Sequence, residues 1–585
     1  IADFWRNRWL SKRIEHIPTI ERLKSMGCWK LTDKIPQFEG RNPNEVVTEM
    51  PIESTPDSIE KQNLNFWKGL AHAGPQVCSD ELKITEIDML HITLPVEHFI
   101  LERVKEGYSI VLTGNAGDGK THILRRLEPE LKKLNAVVQY DATAAMIKGK
   151  IKPIVTQWKK ALKDGRPYCL AANEFPLYIL RRNEKENLPI LKEVDRQCRQ
   201  RLVYNEKIQD DENSQDKVIV IDLSLRNPLS PEFAKEMLKR ILSDEGIREF
   251  ALSGKDPLFS KNFKSLEDKT VQTRLMVLFD RLAIRGYRTS VREIWILISR
   301  LLFGDSSEKN LNGLSPRKWY SERLFEIDNR FEISNYLREY SDPIQYSHPR
   351  WDLKLERPGK TKDDDWIVDK QEPIWSTKKD DVVDRFHALK RKFYFEHVKG
   401  TDVFALEDEA SKEFQGFINS PGSDITLKKK VIGAINRCYC PIKFSGWNDA
   451  LYLWIGHRYH EKPTISYVAN QSVSHNEFQL LKPRLPNRID NILEYRADHF
   501  LLQYKGTGKT FISLRIDYPL YNTLVRIARG MPRQLVPERD INRLDMFMER
   551  MQSLNIPQNR EFFTYNVYYG EFTKFHLSAD WKKYQ

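Results

Sequence analysis

The sequence predicts an α/β fold in which helices cover a parallel sheet. Between residues 108 and 229, short apolar segments of strand length alternate with longer segments of helical periodicity. This alternation is typical of parallel β-α-β units. A glycine-rich turn joins the first of these strands to the first of these helices, and helical patterns dominate after residue 230. Together these observations predict a parallel core followed by a helical subdomain.

The predicted core strands are short apolar runs, and the fourth, Val218–Asp222 with its leading Lys217, has the most β-branched residues. They span residues 108–113, 136–141, 168–173 and 217–222. Between them we expect helices from Thr121 onward, over residues 144–163 and over residues 177–208. These four strands define the α/β core.

Helix signals are clearest after the fourth strand. Ser230 is a suitable N-cap, and Pro231 fits the first helical turn. Further helices are predicted over residues 271–284, 291–303 and 385–397. Beyond residue 464 strands dominate until Pro519, one or two helices follow up to Leu554, and residues 562–577 alternate like a strand or hairpin.

A chain of 585 residues is too long for one ordinary core. We divide it into five regions, from composition and predicted elements. They are a loop-rich N-terminal region (1–87), the α/β core (88–229), a helical lid (230–305), a mixed α+β region (306–470) and a β-rich region with helices (471–585).

Composition indicates a soluble protein of the cytoplasm. Hydrophobic residues make up 40% and charged residues 30% of the chain, and no apolar run is long enough to span a membrane. Six dispersed cysteines favour a reducing compartment over a disulfide framework. The net charge of +12 favours a polyanionic partner such as DNA. The chain begins at Ile1 rather than methionine, so an effector domain upstream is compatible with the sequence.

The segment Gly114–Thr121 fits the pattern G-x-x-x-x-G-K-[ST] at every fixed position. Glycines let backbone N–H groups turn toward phosphates, Lys120 can reach the β- and γ-phosphates, and the Thr121 hydroxyl can bind Mg²⁺. The flanking strand and helix are those that a P-loop requires. We therefore expect ATP and Mg²⁺ to bind here. The predicted nucleotide-binding residues of this loop are Gly114, Asn115, Ala116, Gly117, Asp118, Gly119, Lys120, Thr121 and His122.

A P-loop needs an acidic partner, and two are available. In AAA+ ATPases the third strand carries the acidic pair and the fourth a polar sensor. That order makes Glu174 the base that activates water, with Asn173 where a metal-binding Asp is usual. Asp222 and Arg226 would then lie near the γ-phosphate. The rival interpretation makes Asp222 the Walker B aspartate, because Val218–Asp222 matches four apolar residues and an Asp. Either way we expect Asp222 to line the site. The predicted catalytic residues are Lys120, Glu174 and Asp222, and Thr121 and Asp222 are the predicted Mg²⁺ ligands.

Arg292 is the candidate arginine of the helical lid. It lies at the start of the helix predicted from Val291, and AAA+ lids present an arginine to the nucleotide from such a position. The alternative is an ordinary surface ion pair.

Three other patterns are weaker. Gly506–Thr510 resembles a second P-loop, but Gln503 stands where the first glycine belongs and strands flank it on both sides, which favours a hairpin turn. Cys438, Cys440, His457 and His460 lack usual zinc spacing, so a buried cysteine pair is favoured. Asp57, Glu81 and Lys83 have the residue types of a metal-dependent nuclease, a composition that arises readily by chance here.

Three quoted segments resemble a known group of proteins: Gly-Asn-Ala-Gly-Asp-Gly-Lys-Thr-His, Leu-Ala-Ala-Asn-Glu-Phe-Pro-Leu and Ile-Asp-Leu-Ser-Leu-Arg-Asn-Pro-Leu. Together they are similar to bacterial ATPases of anti-phage defence loci, nearest to the ATPase subunits of DNA phosphorothioation-dependent restriction systems. The resemblance covers roughly residues 95–305. It implies an AAA+-like ATPase that works with other subunits of a defence complex on foreign DNA, and a homo-oligomer is plausible.

Three alternatives stay open. A STAND-type nucleotide switch would sense a phage component, activate an effector nuclease and turn over slowly. A DNA translocase would need helicase motifs, and none accompanies the P-loop. In the third alternative a nuclease performs the chemistry and the ATPase regulates it.

Overall fold

Carboxyl ends of parallel strands meet at one edge of the central sheet. In the computed structural model this sheet has four parallel strands in the order β2-β3-β1-β4. Strand β1 is therefore flanked directly by β3 and β4. The strands are β1 (Ser109–Gly114), β2 (Val137–Gln139), β3 (Tyr168–Asn173) and β4 (Val218–Asp222). The predicted α/β class with a parallel sheet is confirmed, and β3 has the predicted bounds.

The structure describes residues 59–72, 82–143, 151–184, 187–204, 217–303, 319–327, 331–356, 379–401, 409–420, 424–455, 466–506, 511–554 and 561–576. All of them belong to one compact unit, residues 58–585.

Helices cover both faces of the parallel sheet because alternate strand residues point to opposite sides. Ile110 and Leu112 pack with α3 and α4, whereas Val111 packs with the helices of the other face. The helices up to β4 are α1 (Ile59–His72), α2 (Ile84–Met89), α3 (Pro95–Lys105), α4 (Lys120–Lys133), α5 (Lys152–Lys163), α6 (Glu174–Asn183) and α7 (Ile190–Arg199).

One sequence-based prediction in this part was wrong. The helix predicted over residues 177–208 is interrupted: α6 ends at Asn183, and α7 begins at Ile190, directly after Pro189, whose fixed φ and missing N–H suit a helix start. Residues 205–208 lie outside the described residues. Residues 1–58 and 73–81 of the region predicted to be loop-rich lie outside the described residues, and within its described part α1 is a 14-residue helix. Its Trp67 is fully buried and packs 5.6 Å from the ring of Trp295, so tertiary packing stabilises a helix that the surrounding prolines obscured.

Five helices follow β4 and share one hydrophobic core with α1. The Ser230 hydroxyl accepts from the Phe233 N–H at 3.3 Å and caps the first of them, as predicted. They are α8 (Pro231–Leu242), α9 (Glu245–Leu252), α10 (Pro257–Glu267), α11 (Lys269–Ile284) and α12 (Val291–Phe303). The sequence analysis missed α9 and α10, which are short and lie between stronger signals.

The described part of residues 319–440 is helical. Its helices are α13 (Tyr320–Arg323), α14 (Glu332–Ser341), α15 (Pro349–Glu356), α16 (Lys379–Glu396), α17 (Glu409–Asn419) and α18 (Ile425–Tyr439). The helix predicted over residues 385–397 corresponds to α16, which begins earlier.

Antiparallel strands form the rest of the chain. One sheet has the order β11-β10-β6-β5 and the other β7-β8-β9. The strands are β5 (Ala450–Ile455), β6 (Ser466–Ser474), β7 (Phe478–Leu481), β8 (His499–Tyr504), β9 (Ser513–Asp517), β10 (Glu561–Asn566) and β11 (Glu571–His576); the helices are α19 (Tyr518–Ala528) and α20 (Glu538–Gln552). The predicted C-terminal hairpin is confirmed as β10–β11.

The second P-loop-like segment lies between paired strands, as predicted. Strands β8 and β9 are antiparallel, with Gln503 opposite Ser513. A P-loop would require a helix after the turn, and β9 follows instead. The turn residues 507–510 lie outside the described residues.

A connecting segment, residues 482–498, joins β7 to β8 and lies against the parallel core. Its Leu485, Ile489, Ile492 and Leu493 belong to the same hydrophobic cluster as Ile219. Backbone bridges pair Val203 with Arg484 and Arg226 with Tyr495. The C-terminal strands are thereby tied to the carboxyl edge of the central sheet. None of the described helices is long and apolar enough to span a membrane.

Candidate functional site

The glycine-rich loop, residues 114–119, joins β1 to α4 at the carboxyl edge of the sheet. Gly114, Gly117 and Gly119 all have positive φ, at 141°, 89° and 91°. A side chain is strained in this region of conformational space. At Gly114 a Cβ would also lie 2.7 Å from Asp118 Oδ2. The loop backbone therefore depends on its glycines.

Helix α4 begins at Lys120, directly after this loop. The first N–H groups of an α-helix have no intrahelical acceptor, and the helix N-terminus carries a partial positive charge. Residues Lys120, Thr121 and His122 contribute such N–H groups. The loop and helix together can therefore surround an anion.

The ammonium of Lys120 is held by the loop backbone. Its Nζ donates to the carbonyl oxygens of Asn115 at 2.5 Å and Gly114 at 3.1 Å. Burial lowers the pKa of Lys120, and the nearby carboxylates of Asp118, Asp141 and Asp222 oppose that shift. Asn115 and Ala116 are themselves exposed on the rim of the loop. The positive charge of Lys120 thus lies inside the turn of the glycine-rich loop.

Asp118 folds back across the same loop. Its Oδ2 accepts from the Asn115 N–H at 2.6 Å. Burial raises the pKa of Asp118 to about 6, although this hydrogen bond and Lys120 act in the opposite direction. The carboxylate thus accepts a backbone hydrogen bond of the loop and places negative charge beside the lysine.

Register places the two acidic candidates on opposite sides of β1. Asn173 lies opposite Gly114, and Asp222 lies opposite Thr113. The Glu174 side chain, at the first turn of α6, is 69% exposed, whereas that of Asp222 is 11% exposed. The Asn173 amide lies 3.5 Å from the Thr143 hydroxyl. Both candidates are thus beside the loop, one at the surface and one recessed.

Thr121 and Asp222 supply the oxygen atoms that Mg²⁺ prefers. The Thr121 hydroxyl donates to the Tyr140 carbonyl at 3.1 Å and keeps its own lone pairs. Asp222 Oδ1 accepts from the N–H and hydroxyl of Ser224, at 3.0 and 2.6 Å. The described residues contain no cluster of three His, Cys, Asp or Glu side chains for a metal. A cation held here would need further oxygens from a bound phosphate or water, a coordination typical of Mg²⁺.

Sequence analysis missed Arg201, which contacts both acidic candidates. Its Nη1 lies 3.5 Å from Asp222 Oδ2 and 3.8 Å from Glu174 Oε1. The neighbouring Val203 exchanges two 2.8 Å backbone hydrogen bonds with Arg484. The connecting segment therefore fixes the strand-like turn that carries this arginine.

Helix α12 begins against the glycine-rich loop. Ser290 and Glu293 form a capping box: the Ser290 N–H donates to Glu293 Oε2 at 3.1 Å, and the Glu293 N–H donates to the Ser290 hydroxyl at 3.3 Å. The Arg292 N–H faces the Gly117 carbonyl at 3.4 Å. The structure thus places the backbone of Arg292 beside the loop.

A pocket of about 710 Å³, counted to where it opens to solvent, adjoins the loop. One wall is apolar, with Leu90, Ile92 and Leu94 from the segment before β1 and Trp295 from α12. Gly117, Asp118, Gly119, His122, Arg226 and Arg292 line its polar side. Burial lowers the pKa of His122 to about 4, so this ring is neutral at pH 7.

Arg226 lines this pocket from the side of the connecting segment. Its guanidinium is almost fully buried, and its Nε lies 2.7 Å from Glu494 Oε2. Its Nη2 has no hydrogen-bond partner among the described residues. Sequence analysis predicted that Arg226 faces the γ-phosphate; the structure places it in the pocket but pairs it with Glu494, a residue distant in sequence.

The weaker candidates receive little structural support. Cys438 and Cys440 are buried at the end of α18, and burial raises the pKa of both thiols to about 11, as expected for structural cysteines. Lys83 precedes α2 and its N–H binds Glu86. Asp57, Glu81, His457 and His460 lie outside the described residues.

The chain matches no protein-family model, and neither a curated protein nor a solved structure is significantly similar to it.

Proposed function

We propose that the chain is a Mg²⁺-dependent ATPase with a P-loop and an AAA+-like helical lid. The observation that carries the proposal is the position of Lys120. Its ammonium lies at the N-terminus of α4, held by two loop carbonyls. Asp222 ends one neighbouring strand, and Glu174 directly follows the other. This combination suits the phosphates of a bound nucleotide.

In the proposed complex the β- and γ-phosphates lie along the loop and the start of α4. Lys120 exchanges its bonds to Gly114 and Asn115 for bonds to phosphate oxygens. The residues that fit a bound Mg²⁺ are Thr121 and Asp222, and the ion would neutralise charge that develops on the phosphates. The recessed carboxylate of Asp222 is oriented by Ser224.

Glu174 is the proposed general base. Its exposed carboxylate can accept a proton from a water molecule that attacks the γ-phosphate. Before the nucleotide binds, Arg201 forms ion pairs with both Glu174 and Asp222. We assign it to the γ-phosphate, where an arginine stabilises the charge of the transition state.

The apolar pocket is the proposed site of the nucleobase. Leu90, Ile92 and Leu94 offer an apolar surface, and Trp295 offers an aromatic one. Arg292, at the start of α12, reaches the same pocket and would face the phosphates. Closure of this lid helix over the base would exclude water from the reaction.

The resemblance of residues 95–305 to ATPases of defence loci supports a role with other subunits of an antiviral complex that recognises or processes foreign DNA. Cytoplasmic location, DNA and partner subunits are parts of the same proposal. The net charge of +12 is compatible with a polyanionic partner.

The second candidate is a STAND-type switch, and one contact favours it. Arg226 joins the pocket to Glu494 of the connecting segment, so nucleotide binding could be communicated to the C-terminal strands. Steady-state ATP turnover with and without DNA separates the two. Rapid turnover that DNA stimulates supports the ATPase, whereas tight nucleotide binding with turnover that DNA leaves unchanged supports the switch.

A further inference from the structure

A second and larger groove lies outside the nucleotide pocket. It has a volume of about 2000 Å³, counted to where it opens to solvent. Helices α11 and α14 form one wall, and β9, α19 and α20 form the other. The proposed ATPase chemistry uses none of these elements.

Aromatic rings form a ladder along this groove. The rings of Tyr287 and Tyr336 are 4.3 Å apart, and those of Tyr336 and Tyr340 are 5.9 Å apart with an interplanar angle of 24°. The Arg285 guanidinium lies 5.2 Å from the ring centres of both Tyr340 and Tyr518. Tyr336 is exposed in the middle of the ladder.

Arginines present their charge to the groove while their acidic partners are recessed. The side chains of Arg288, Arg515 and Arg539 are 43%, 57% and 75% exposed. Their partners, Asp498 and Asp517, are only 15% and 16% exposed.

Arg543 extends the same arrangement. It lies 2.9 Å from Asp517 Oδ1 and 3.8 Å from Asp540 Oδ1, and Asp540 is buried. Glu332 adds one exposed carboxylate at the α14 side. Five arginines and four carboxylates line the groove, and three of the carboxylates are recessed, so the exposed charge comes mainly from the arginines.

Asp498 illustrates this arrangement. Burial alone would raise the pKa of Asp498, but the hydrogen bond with His499 and the charge of Arg288 hold it well below its usual range. The carboxylate therefore stays ionised and keeps Arg288 in place at neutral pH.

We infer that this groove binds single-stranded nucleic acid, with bases stacked on the tyrosine ladder and phosphates on the rim arginines. Sequence-tolerant binders of single strands combine aromatic platforms with cationic grooves in this way. The exposed ring of Tyr336 favours unpaired bases over a duplex, whose bases are already stacked. The inference rests on the nucleic-acid part of the proposed function and gives it a location.

The groove is also connected to the nucleotide site. Arg288 donates to the Ser224 carbonyl at 2.8 Å and to Asp498 at 3.0 Å. Ser224 in turn binds the carboxylate of Asp222. A nucleic-acid strand bound at Arg288 would therefore be linked to Asp222, the proposed Mg²⁺ ligand, through one intervening residue, Ser224.

Binding of fluorescent oligothymidine by the full chain, followed by anisotropy over a range of salt concentrations, tests the inference. We expect the single strand to bind more tightly than a duplex of the same length. Tyr336→Ala should weaken binding about tenfold through lost stacking. Arg539→Ala should reduce the slope of log affinity against log salt by about 0.7.

Matched controls are available on the same chain. Tyr178→Ala removes a comparably exposed tyrosine on α6, and Arg529→Ala removes an exposed, carboxylate-paired arginine outside the groove. Both should bind the oligonucleotide as the wild type does. Tyr336→Phe keeps an aromatic ring and should retain binding, which separates loss of stacking from misfolding of Tyr336→Ala.

Three other outcomes would overturn the inference, and they differ in whether the proposed function fails with it. If the wild type binds DNA but the groove variants match their controls, this groove is not the site and the proposed function stands. If the wild type binds neither single strands nor duplex, the nucleic-acid part of both proposals fails. If polyglutamate displaces the strand as well as unlabelled DNA does, the groove receives an acidic protein segment instead.

Discussion

The guanidinium of Arg201 lies 3.5 Å from the carboxylate of Asp222. The same nitrogen lies 3.8 Å from Glu174, so one arginine contacts both acidic candidates. A cation in this position stabilises two carboxylates that flank β1 from opposite sides. Bound Mg²⁺ and triphosphate would add their own charges, so the ion pairs of Arg201 with the two carboxylates would have to rearrange. We predict a distinct role for each of Arg201, Asp222 and Glu174 in that complex.

Arg201→Ala should lower ATP turnover on the order of 100-fold, because an arginine on the γ-phosphate stabilises the transition state. ATP affinity should change little, since Lys120 and the loop bind the ground state. Steady-state kinetics together with an equilibrium ATP titration measure both. The matched control is Arg199→Ala, an exposed arginine paired with Asp195 at the end of α7. Equal turnover in the two variants would exclude Arg201 from the reaction.

Glu174→Gln and Asp222→Asn should separate the two acidic roles. Loss of a general base costs about 100- to 10,000-fold in turnover, so Glu174→Gln should bind ATP normally and hydrolyse it slowly. Asp222→Asn should instead weaken the dependence of ATP affinity on Mg²⁺. Titrations with and without Mg²⁺ provide the measurement. If Glu174→Gln retains full turnover while Asp222→Asn loses it, Asp222 is the essential acid.

Gly117→Ala and Gly119→Ala should differ although both glycines have φ near 90°. Each substitution costs about 1–2 kcal/mol of backbone strain. A Cβ at Gly117 would in addition lie 3.0 Å from the Ser290 side chain, whereas a Cβ at Gly119 has no heavy atom within 4 Å. Gly117→Ala should therefore push α12 away and weaken ATP binding further than Gly119→Ala. Equal affinities would show that α12 does not contribute to the nucleotide site.

Asp118→Asn should stabilise the protein in a pH-dependent manner. Burial raises the pKa of Asp118 from 3.8 to about 6, so the fold favours its protonated form. The destabilising contribution is absent at low pH, grows as the pH rises through this window and is complete above it. A rise of about two units corresponds to at most about 3 kcal/mol.

Thermal melting at pH 5 and pH 8 measures this effect. The asparagine variant should melt above the wild type at pH 8, with a smaller advantage at pH 5. Asp164→Asn, an exposed position after α5, should show no such difference. A variant that melts lower at pH 8 would mean that the ionised carboxylate stabilises the loop.

The sequence predicted the elements that local signals define. Local apolar patterns or turn residues mark the motif at Gly114–Thr121, the strand Tyr168–Asn173 and the helix Val291–Phe303. The structure has this strand and this helix with the predicted bounds. Arg292 could be placed from the same local signal, because its helix has a clear start.

Contacts between distant residues could not be predicted in this way. Arg201 fell within a segment that was predicted to be a continuous helix, and its position depends on the pairing of Val203 with Arg484. Likewise, no local pattern links Arg226 with Glu494, or brings the apolar residues before β1 against Trp295. These contacts arise from tertiary packing of segments that lie far apart in the chain.

ATP hydrolysis by wild type and Lys120→Ala, compared with Lys133→Ala as the control, tests the central claim most directly. Lys133 lies on the same helix but is exposed at its far end. We predict Mg²⁺-dependent turnover in the wild type and in Lys133→Ala, and a loss of at least about 100-fold in Lys120→Ala, where the phosphate-binding charge is removed. Turnover of Lys120→Ala at the wild-type rate, or a wild type that neither binds nor hydrolyses ATP, would contradict the account.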